Sequence, residues 1–201
     1  MILKICGITN REDAAAAVDG GANAVGFNFY PRSPRYLAPE HAAEIPTAAD
    51  VRRVGVFVNE APARIEEIAR VARLDVVQLH GDESAGEAEA CTTAVWKAVR
   101  VGPEFRFEAY EGFPIEALLL DGPAAGLYGG AGRAFDWALA RAASRPVILA
   151  GGLDARNVKA AVELARPWGV DACSKIESTP GKKDHRKMNE FLRAAREALG
   201  A

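Results

Sequence analysis

The chain has 201 residues, of which 49% are hydrophobic and 26% are charged, and its formal net charge is −2 at pH 7. This composition is typical of one folded domain and lacks the basic excess of a nucleic-acid-binding protein. No apolar run approaches the ~18 residues of a membrane helix, and the apolar start is too short for a signal peptide. We therefore expect one cytoplasmic domain over residues 1–201, a monomer or homodimer, with neither nucleic acid nor membrane as a partner.

Three cysteines, Cys6, Cys91 and Cys173, lie far apart in the sequence. Because their number is odd and no CxxC or comparable zinc spacing occurs, they predict neither a disulfide framework nor a thiol–metal site. Free thiols are typical of a reducing compartment. No motif for a metal or redox cofactor stands out elsewhere in the chain, so we expect no cofactor.

Short apolar runs alternate with longer amphipathic stretches along the whole chain. This alternation predicts eight strands, at residues 2–5, 24–29, 54–58, 76–79, 95–99, 117–120, 147–150 and 169–172. Residues 102–114 are rich in aromatics, prolines and glycines, so the helix after the fifth strand is predicted to be shortened or missing.

Polar residues mark where several of the helices begin. Thr9 and Glu12 match a capping box, in which the first side chain caps the helix and the second returns a hydrogen bond. Ser84 and Glu87 offer a second one. Asp154 follows a glycine pair and is predicted to cap the helix after the seventh strand.

Eight strand–helix units in series favour a parallel sheet, because each parallel strand needs a crossover to reach the next. Two α/β architectures suit this pattern: an open doubly wound sheet and a closed (βα)8 TIM barrel. No GxGxxG motif follows the first strand, which counts against the dinucleotide-binding form of the open sheet. A barrel of this length is compact, since ~250 residues are typical.

Chemically capable residues fall at the carboxyl ends of the predicted strands. Cys6 ends the first strand, His80 the fourth and Asp121 the sixth, while Asp171 lies within the eighth. In a (βα)8 barrel these ends form the active face. Each residue taken alone also has an ordinary explanation, as a small buried thiol, a structural histidine or a turn aspartate.

Two loops of small residues suggest a phosphate site. Gly151 and Gly152 follow the seventh strand and Ser174 follows the eighth, where (βα)8 barrels often bind phosphate through backbone N–H groups. Cys6 and Asp121 then flank the barrel mouth from strands three positions apart. This arrangement favours acid–base isomerisation of a small phosphorylated substrate.

Over nearly its whole length the chain resembles the phosphoribosylanthranilate isomerase family of tryptophan biosynthesis. The motifs that carry the resemblance are KICGIT at 4–9, PRSPRY at 31–36, VGVFVN at 54–59, VQLHG at 77–81, LD at 120–121, GGAG at 129–132 with FDW at 135–137, AGGL at 150–153 and PGKKD at 180–184. Their combination and order are specific, although each motif alone is weak.

The resemblance implies a (βα)8 barrel, no cofactor and no metal, and an Amadori rearrangement of N-(5-phosphoribosyl)anthranilate. Cys6 is implied as the general base, Asp121 as the general acid and Arg35 as the ligand of the anthranilate carboxylate. To act as an acid Asp121 must carry a proton, so we expect a partly dry site around it. The remaining implied substrate-binding residues are His80 in the pocket and Gly151, Gly152 and Ser174 at the phosphate.

Lys175 departs from the family pattern, which usually has glycine after the serine. If this position requires a positive φ, lysine is strained there by roughly 1–2 kcal/mol; at an ordinary φ its N–H still reaches a phosphate. The glycine-rich stretch at residues 122–132 is predicted to be a mobile lid.

Two alternatives remain open on the sequence alone. A related isomerase of histidine biosynthesis uses aspartate where Cys6 stands, so Cys6 argues against it. A catalytically silent phosphate-binding barrel is suggested only by Lys175.

Overall fold

The computed structural model describes residues 1–122 and 136–200, and within them eight parallel strands form a closed barrel. The strands follow one another around the ring in chain order, and β1 pairs with β8 to close it. The predicted TIM barrel is therefore confirmed, and the open sheet is excluded. The strands are β1 (Ile2–Cys6), β2 (Ala24–Asn28), β3 (Arg52–Phe57), β4 (Val76–Leu79), β5 (Ala94–Arg100), β6 (Ala117–Asp121), β7 (Val147–Leu149) and β8 (Gly169–Ala172).

Six α-helices lie in the described part of the chain: α1 (Arg11–Asp19), α2 (Pro39–Glu44), α3 (Pro62–Ala72), α4 (Ala85–Glu89), α5 (Val158–Ala165) and α6 (His185–Leu199). After β5 there is only a 3-10 turn at Phe107–Tyr110, where the sequence predicts a shortened or missing helix. None of the helices described is long and apolar enough to cross a bilayer. Except for Gly122, the predicted lid lies outside the described residues.

The start of α1 differs from the prediction. Asn10, not Thr9, caps this helix and accepts the N–H of Asp13. The Thr9 hydroxyl donates instead to the carbonyl of Gly181, because a hairpin near the end of the chain packs over this loop. A long-range contact thus removes Thr9 from a capping role that its local sequence favours.

A similar difference occurs before α5, whereas the box at α4 is confirmed. The N-cap position of α5 is Asn157, and Asp154 accepts the N–H of Arg156 in the turn that precedes it. The capping box of Ser84 and Glu87 is present with both of its hydrogen bonds.

The sequence did not indicate the short hairpin after β8. A 3-10 turn at Ser174–Ile176 leads into β9 (Glu177–Thr179), which pairs antiparallel with β10 (Lys182–Lys183). Two- and three-residue strands are too short to leave a clear alternation of apolar and polar residues. The hairpin matters because it brings charged side chains against the mouth of the barrel.

Two apolar cores hold the barrel together. The larger one fills the space between the strands and the helices. The smaller one lies inside the barrel, where the indole of Trp96 meets Trp168 edge to face at 6.1 Å. The fully or nearly buried members of this inner core are Ile2, Ala24, Val54, Val76, Trp96, Ala98, Ala117, Leu119, Ile148 and Ala150.

Close packing between β8 and β1 generates a prediction for stability. A Cβ at Gly169 would lie 2.5 Å from both Cβ and the carbonyl oxygen of Ile2. Gly169→Ala should therefore lower the free energy of unfolding by about 1–3 kcal/mol, because backbone has to shift. Gly102→Ala is the matched control, since a Cβ there meets no heavy atom within 4 Å. Urea unfolding followed by circular dichroism measures both, and equal midpoints would contradict the prediction.

Candidate active site

A cavity of about 390 Å³ opens at the carboxyl ends of the barrel strands. Alternation along each strand points the side chains of its inward positions into this space. It is lined by all seven site residues predicted from the sequence: Cys6, Arg35, His80, Asp121, Gly151, Gly152 and Ser174. The fold thus brings together residues up to 168 positions apart in the chain (6 to 174).

The thiol of Cys6, the last residue of β1, lies at the cavity wall and is 9% exposed. The neighbouring Cys173 thiol lowers the pKa of Cys6 well below its ordinary value, against the opposing effect of burial. The positive charges of Lys4 and Lys183 lower this pKa further. The surroundings therefore favour the thiolate, the form in which cysteine accepts a proton.

A buried ion pair lies one inward position below Cys6. Lys4 Nζ is 3.0 Å from Asp171 Oδ2, and the lysine side chain is 0% exposed. Burial raises the pKa of Asp171 to about 7, although the charge of Lys4 acts in the opposite direction. The other carboxylate oxygen, Oδ1, is buried without a hydrogen-bond partner among the described residues. Lys4 is not among the site residues predicted from the sequence. It could have been recognised there as a charged residue at an inward position of an otherwise apolar strand.

His80 and Asp121 face each other across one side of the cavity. His80 Nε2 is 3.5 Å from Asp121 Oδ2, and His80 Nδ1 is 2.9 Å from the amide nitrogen of Gln78. An amide NH2 group can only donate, so Nδ1 accepts and the proton of a neutral imidazole lies on Nε2. Nε2 makes no hydrogen bond among the described residues, but it is the ring nitrogen that faces the carboxyl of Asp121, which is 7% exposed, as the predicted dry site requires.

Arg35 is held in place by the β9–β10 hairpin. Its Nε and Nη2 donate to the two carboxylate oxygens of Glu177, at 2.9 and 2.7 Å. Lys183 Nζ donates to Oε1 of the same carboxylate at 2.9 Å. Because a bidentate pair fixes the plane of the guanidinium, Glu177 sets the direction in which Arg35 meets a ligand.

The glycine pair after β7 forms a tight turn beside Asp121 at the cavity wall. Gly151 and Gly152 have φ of +79° and +74°, a region that favours glycine. A Cβ at Gly151 would lie 2.4 Å from the backbone nitrogen of Gly122 and 2.8 Å from Asp121 Oδ1. The side chain of Asn157 donates to the carbonyl of Gly152 at 2.9 Å and anchors the turn.

Lys175 lies in the 3-10 turn that Ser174 opens. It is not among the described non-glycine residues with positive φ, which are Asn59, Arg73 and Arg166. The alternative in which lysine is strained at this position is therefore wrong. The backbone of this turn is compatible with either lysine or the glycine that is usual in the family. The Lys175 side chain is exposed at the rim of the cavity.

Together the closed parallel barrel, the acid–base groups and the two small-residue turns at one end define a (βα)8-barrel enzyme. The family model described as N-(5'-phosphoribosyl)anthranilate (PRA) isomerase matches residues 3–194. The chain therefore belongs to the N-(5'-phosphoribosyl)anthranilate isomerase family.

Individual relatives agree with the family model. A curated N-(5'-phosphoribosyl)anthranilate isomerase from Solibacter usitatus is 66% identical over 201 residues, covering 100% of both chains. The crystal structure of phosphoribosyl anthranilate isomerase from Thermotoga maritima is 43% identical and superposes with a TM-score of 0.90, covering 98% of this chain and 100% of that one. A structure of the isomerase in complex with reduced 1-(o-carboxyphenylamino)-1-deoxyribulose 5-phosphate is 41% identical, with a TM-score of 0.86 and coverage of 98% and 100%.

The buried position of Glu177 generates a prediction for stability and its pH dependence. Burial acts to raise the pKa of Glu177, but hydrogen bonds from Arg35 and the charge of Lys183 lower it overall. Glu177→Gln should cost about 3 kcal/mol of unfolding free energy at pH 7, because it leaves the buried Lys183 without its counter-charge.

The penalty should depend on pH in a defined direction. Since the folded pKa of Glu177 is depressed, its contribution is complete above the ordinary value of 4.5 and is lost as the pH falls through the folded value. Glu190→Gln is the control, because its pair with Arg186 is exposed and should be worth less than about 0.5 kcal/mol. Denaturant unfolding at several pH values tests this; equal penalties for the two variants at pH 7 would contradict it.

Proposed function

We propose that this chain catalyses the Amadori rearrangement of N-(5-phosphoribosyl)anthranilate to 1-(2-carboxyphenylamino)-1-deoxyribulose 5-phosphate in tryptophan biosynthesis, with Cys6 as general base and Asp121 as general acid. The observation that carries the proposal is a single cavity containing both groups, one on β1 and one on β6. The related structure that holds the reduced ketose phosphate supports the same substrate class.

Asp121 begins the reaction in this proposal. Its carboxyl donates a proton to the furanose ring oxygen, and the C1–O bond breaks to give an open-chain protonated Schiff base. The adjacent Nε2–H of His80 can stabilise the carboxylate that remains, since the two groups are 3.5 Å apart. The low exposure of Asp121 keeps water from competing for the proton.

Cys6 carries the second step. The iminium group withdraws electrons from C2 and acidifies its proton, which the thiolate of Cys6 removes to form an enaminol. Protonation at C1 and loss of the hydroxyl proton at C2 complete the ketose, so the reaction has no net gain or loss of protons. The lowered pKa of Cys6 supports this role, because a thiolate present at neutral pH needs no separate activating base.

Arg35 binds the anthranilate carboxylate in this proposal. Glu177 occupies the Nε and Nη2 edge of the guanidinium, so the substrate meets the edge formed by Nη1 and Nη2. That edge still offers two parallel N–H groups to a carboxylate. The phosphate is then bound at the other end of the cavity by the backbone of Gly151, Gly152 and Ser174.

Replacement of the acid or the base tests the proposed chemistry. Cys6→Ala and Asp121→Asn should each lower kcat by about 10²–10⁴-fold, because proton transfer loses its donor or acceptor. Binding of the reduced product analogue should persist, since neither group anchors the phosphate or the carboxylate. A fluorescence assay of substrate loss measures turnover, and isothermal titration measures binding.

Cys91→Ala is the matched control for the loss of a thiol, because Cys91 lies after α4 and outside the cavity. It should retain wild-type turnover. Near-full activity of Cys6→Ala or of Asp121→Asn would refute the role assigned to that residue.

Arg35→Lys tests the carboxylate site separately. A lysine keeps the positive charge but cannot make two parallel hydrogen bonds, so KM should rise about tenfold or more while kcat changes little. Arg64→Lys on the exposed face of α3 serves as the control. A kcat that falls as steeply as kcat/KM, with KM unchanged, would show that Arg35 acts on the transition state rather than on binding.

A further inference from the structure

A second thiol lies beside the proposed base. Cys6 ends β1, and Cys173 is the residue after β8, its neighbour in the ring. The pairing of these strands runs up to Ile5 with Ala172, so Cys6 and Cys173 occupy the next pair of positions. A Cβ built at Gly7 would lie 3.0 Å from Cys173 Sγ, which places that sulfur against the residue that follows Cys6. Both cysteines line the same cavity.

Cys173 is held from its other side by the β9–β10 hairpin. Lys183 Nζ donates to its sulfur at 3.8 Å, and its S–H lies 3.9 Å from Glu177 Oε1, the acceptor that competes with Cys6 for this proton. Lys183 and Glu177 are themselves joined at 2.9 Å, and both side chains are at least 96% buried (0% and 4% exposed). The Cys173 side chain is therefore fixed between the hairpin and the first strand.

We propose that Cys173 is a positioning residue for the isomerisation: its thiol donates a hydrogen bond to the sulfur of Cys6 and stabilises the thiolate that removes the substrate's proton. The inference rests on the proposed role of Cys6 as the general base, and it identifies Cys173 as the neighbour that stabilises the thiolate form. The two thiols have different protonation states in this proposal, because the proposed hydrogen bond raises the pKa of Cys173 and lowers that of Cys6. One sulfur therefore keeps its proton while the other loses it.

Other charged and titratable groups surround the two thiols, and Lys4 and Lys183 act on Cys6 directly. The lysines favour the thiolate, whereas a nearby carboxylate opposes it. These groups are Lys4 on β1, Asp171 on β8, Asp121 on β6, His80 after β4, Arg35 after β2, Glu177 on β9 and Lys183 on β10. Lys183 and Glu177 also contact the Cys173 sulfur, so the serine variant, which keeps a donor at this position, is needed to separate the hydrogen bond from packing.

The experiment measures the titration of Cys6 directly, in the whole enzyme without substrate. Iodoacetamide alkylates thiolates, and trypsin releases residues 5–11, in which Cys6 is the only cysteine. Mass spectrometry of this peptide gives the alkylation rate against pH for the wild type, Cys173→Ala and Cys173→Ser. Cys91→Ser, which removes the thiol outside the cavity, is the control.

In Cys173→Ala the pH midpoint of Cys6 alkylation should rise by about one unit, because the thiolate loses a hydrogen-bond donor. The low-pH side of the kcat/KM profile should shift by the same amount. KM at high pH should stay constant. Cys173→Ser keeps an O–H donor and should restore most of the shift. Cys91→Ser should match the wild type. If Cys173→Ala does not fold by circular dichroism, Cys173→Val, which also lacks a donor, takes its place.

Two results would overturn the inference. An unchanged midpoint in a folded Cys173→Ala protein would mean that the thiol donates to Glu177 instead of to Cys6. An equal shift in the alanine and serine variants would mean that packing, not hydrogen bonding, sets the midpoint. Failure of the proposed function has a different signature, because an active Cys6→Ala enzyme would remove the base role whatever the alkylation midpoints show.

Discussion

Pairing between β1 and β8 is the constraint on which the site depends. It joins residues 2–5 to residues 169–172 and closes the ring. The same register places Lys4 opposite Asp171 and carries Cys6 to the position beside Cys173. A slip of one residue would turn these inward side chains to the outer face, because successive residues of a strand point to opposite sides. Closure of the barrel and assembly of the groups around the proposed base thus depend on the same strand pairing.

One part of the barrel interior stabilises the fold, and the part at the carboxyl ends of the strands carries the site residues. The lower layers of the interior are apolar, from Ala24 and Val54 to Ile148, and they bury hydrophobic surface. Above them, Lys4 of β1 and Asp171 of β8 are buried charges that pair with each other, and Lys183 and Glu177 of the hairpin pair beside the barrel mouth. These pairs bury charged groups near the base without leaving isolated buried ions.

Much of the fold and several site residues could be predicted from sequence. Eight apolar runs at regular spacing identify the strands, and Cys6, His80 and Asp121 stand out because they end three of them. The contacts that tune them could not be predicted. Thr9 leaves its capping role for Gly181, and Arg35 meets Glu177 142 residues away, because such pairings depend on how distant loops pack. The family resemblance indicates which residues take part in the reaction, whereas the structure shows which groups surround them.

The chain order of the hairpin has a consequence for synthesis. Cys6 is translated long before Cys173 and Lys183, two of the groups that lower the pKa of its thiol. Until then the nascent polypeptide carries an ordinary, protonated cysteine. Reactivity is therefore withheld from the unfinished chain and arises only when β8 and the hairpin that follows it pack beside β1.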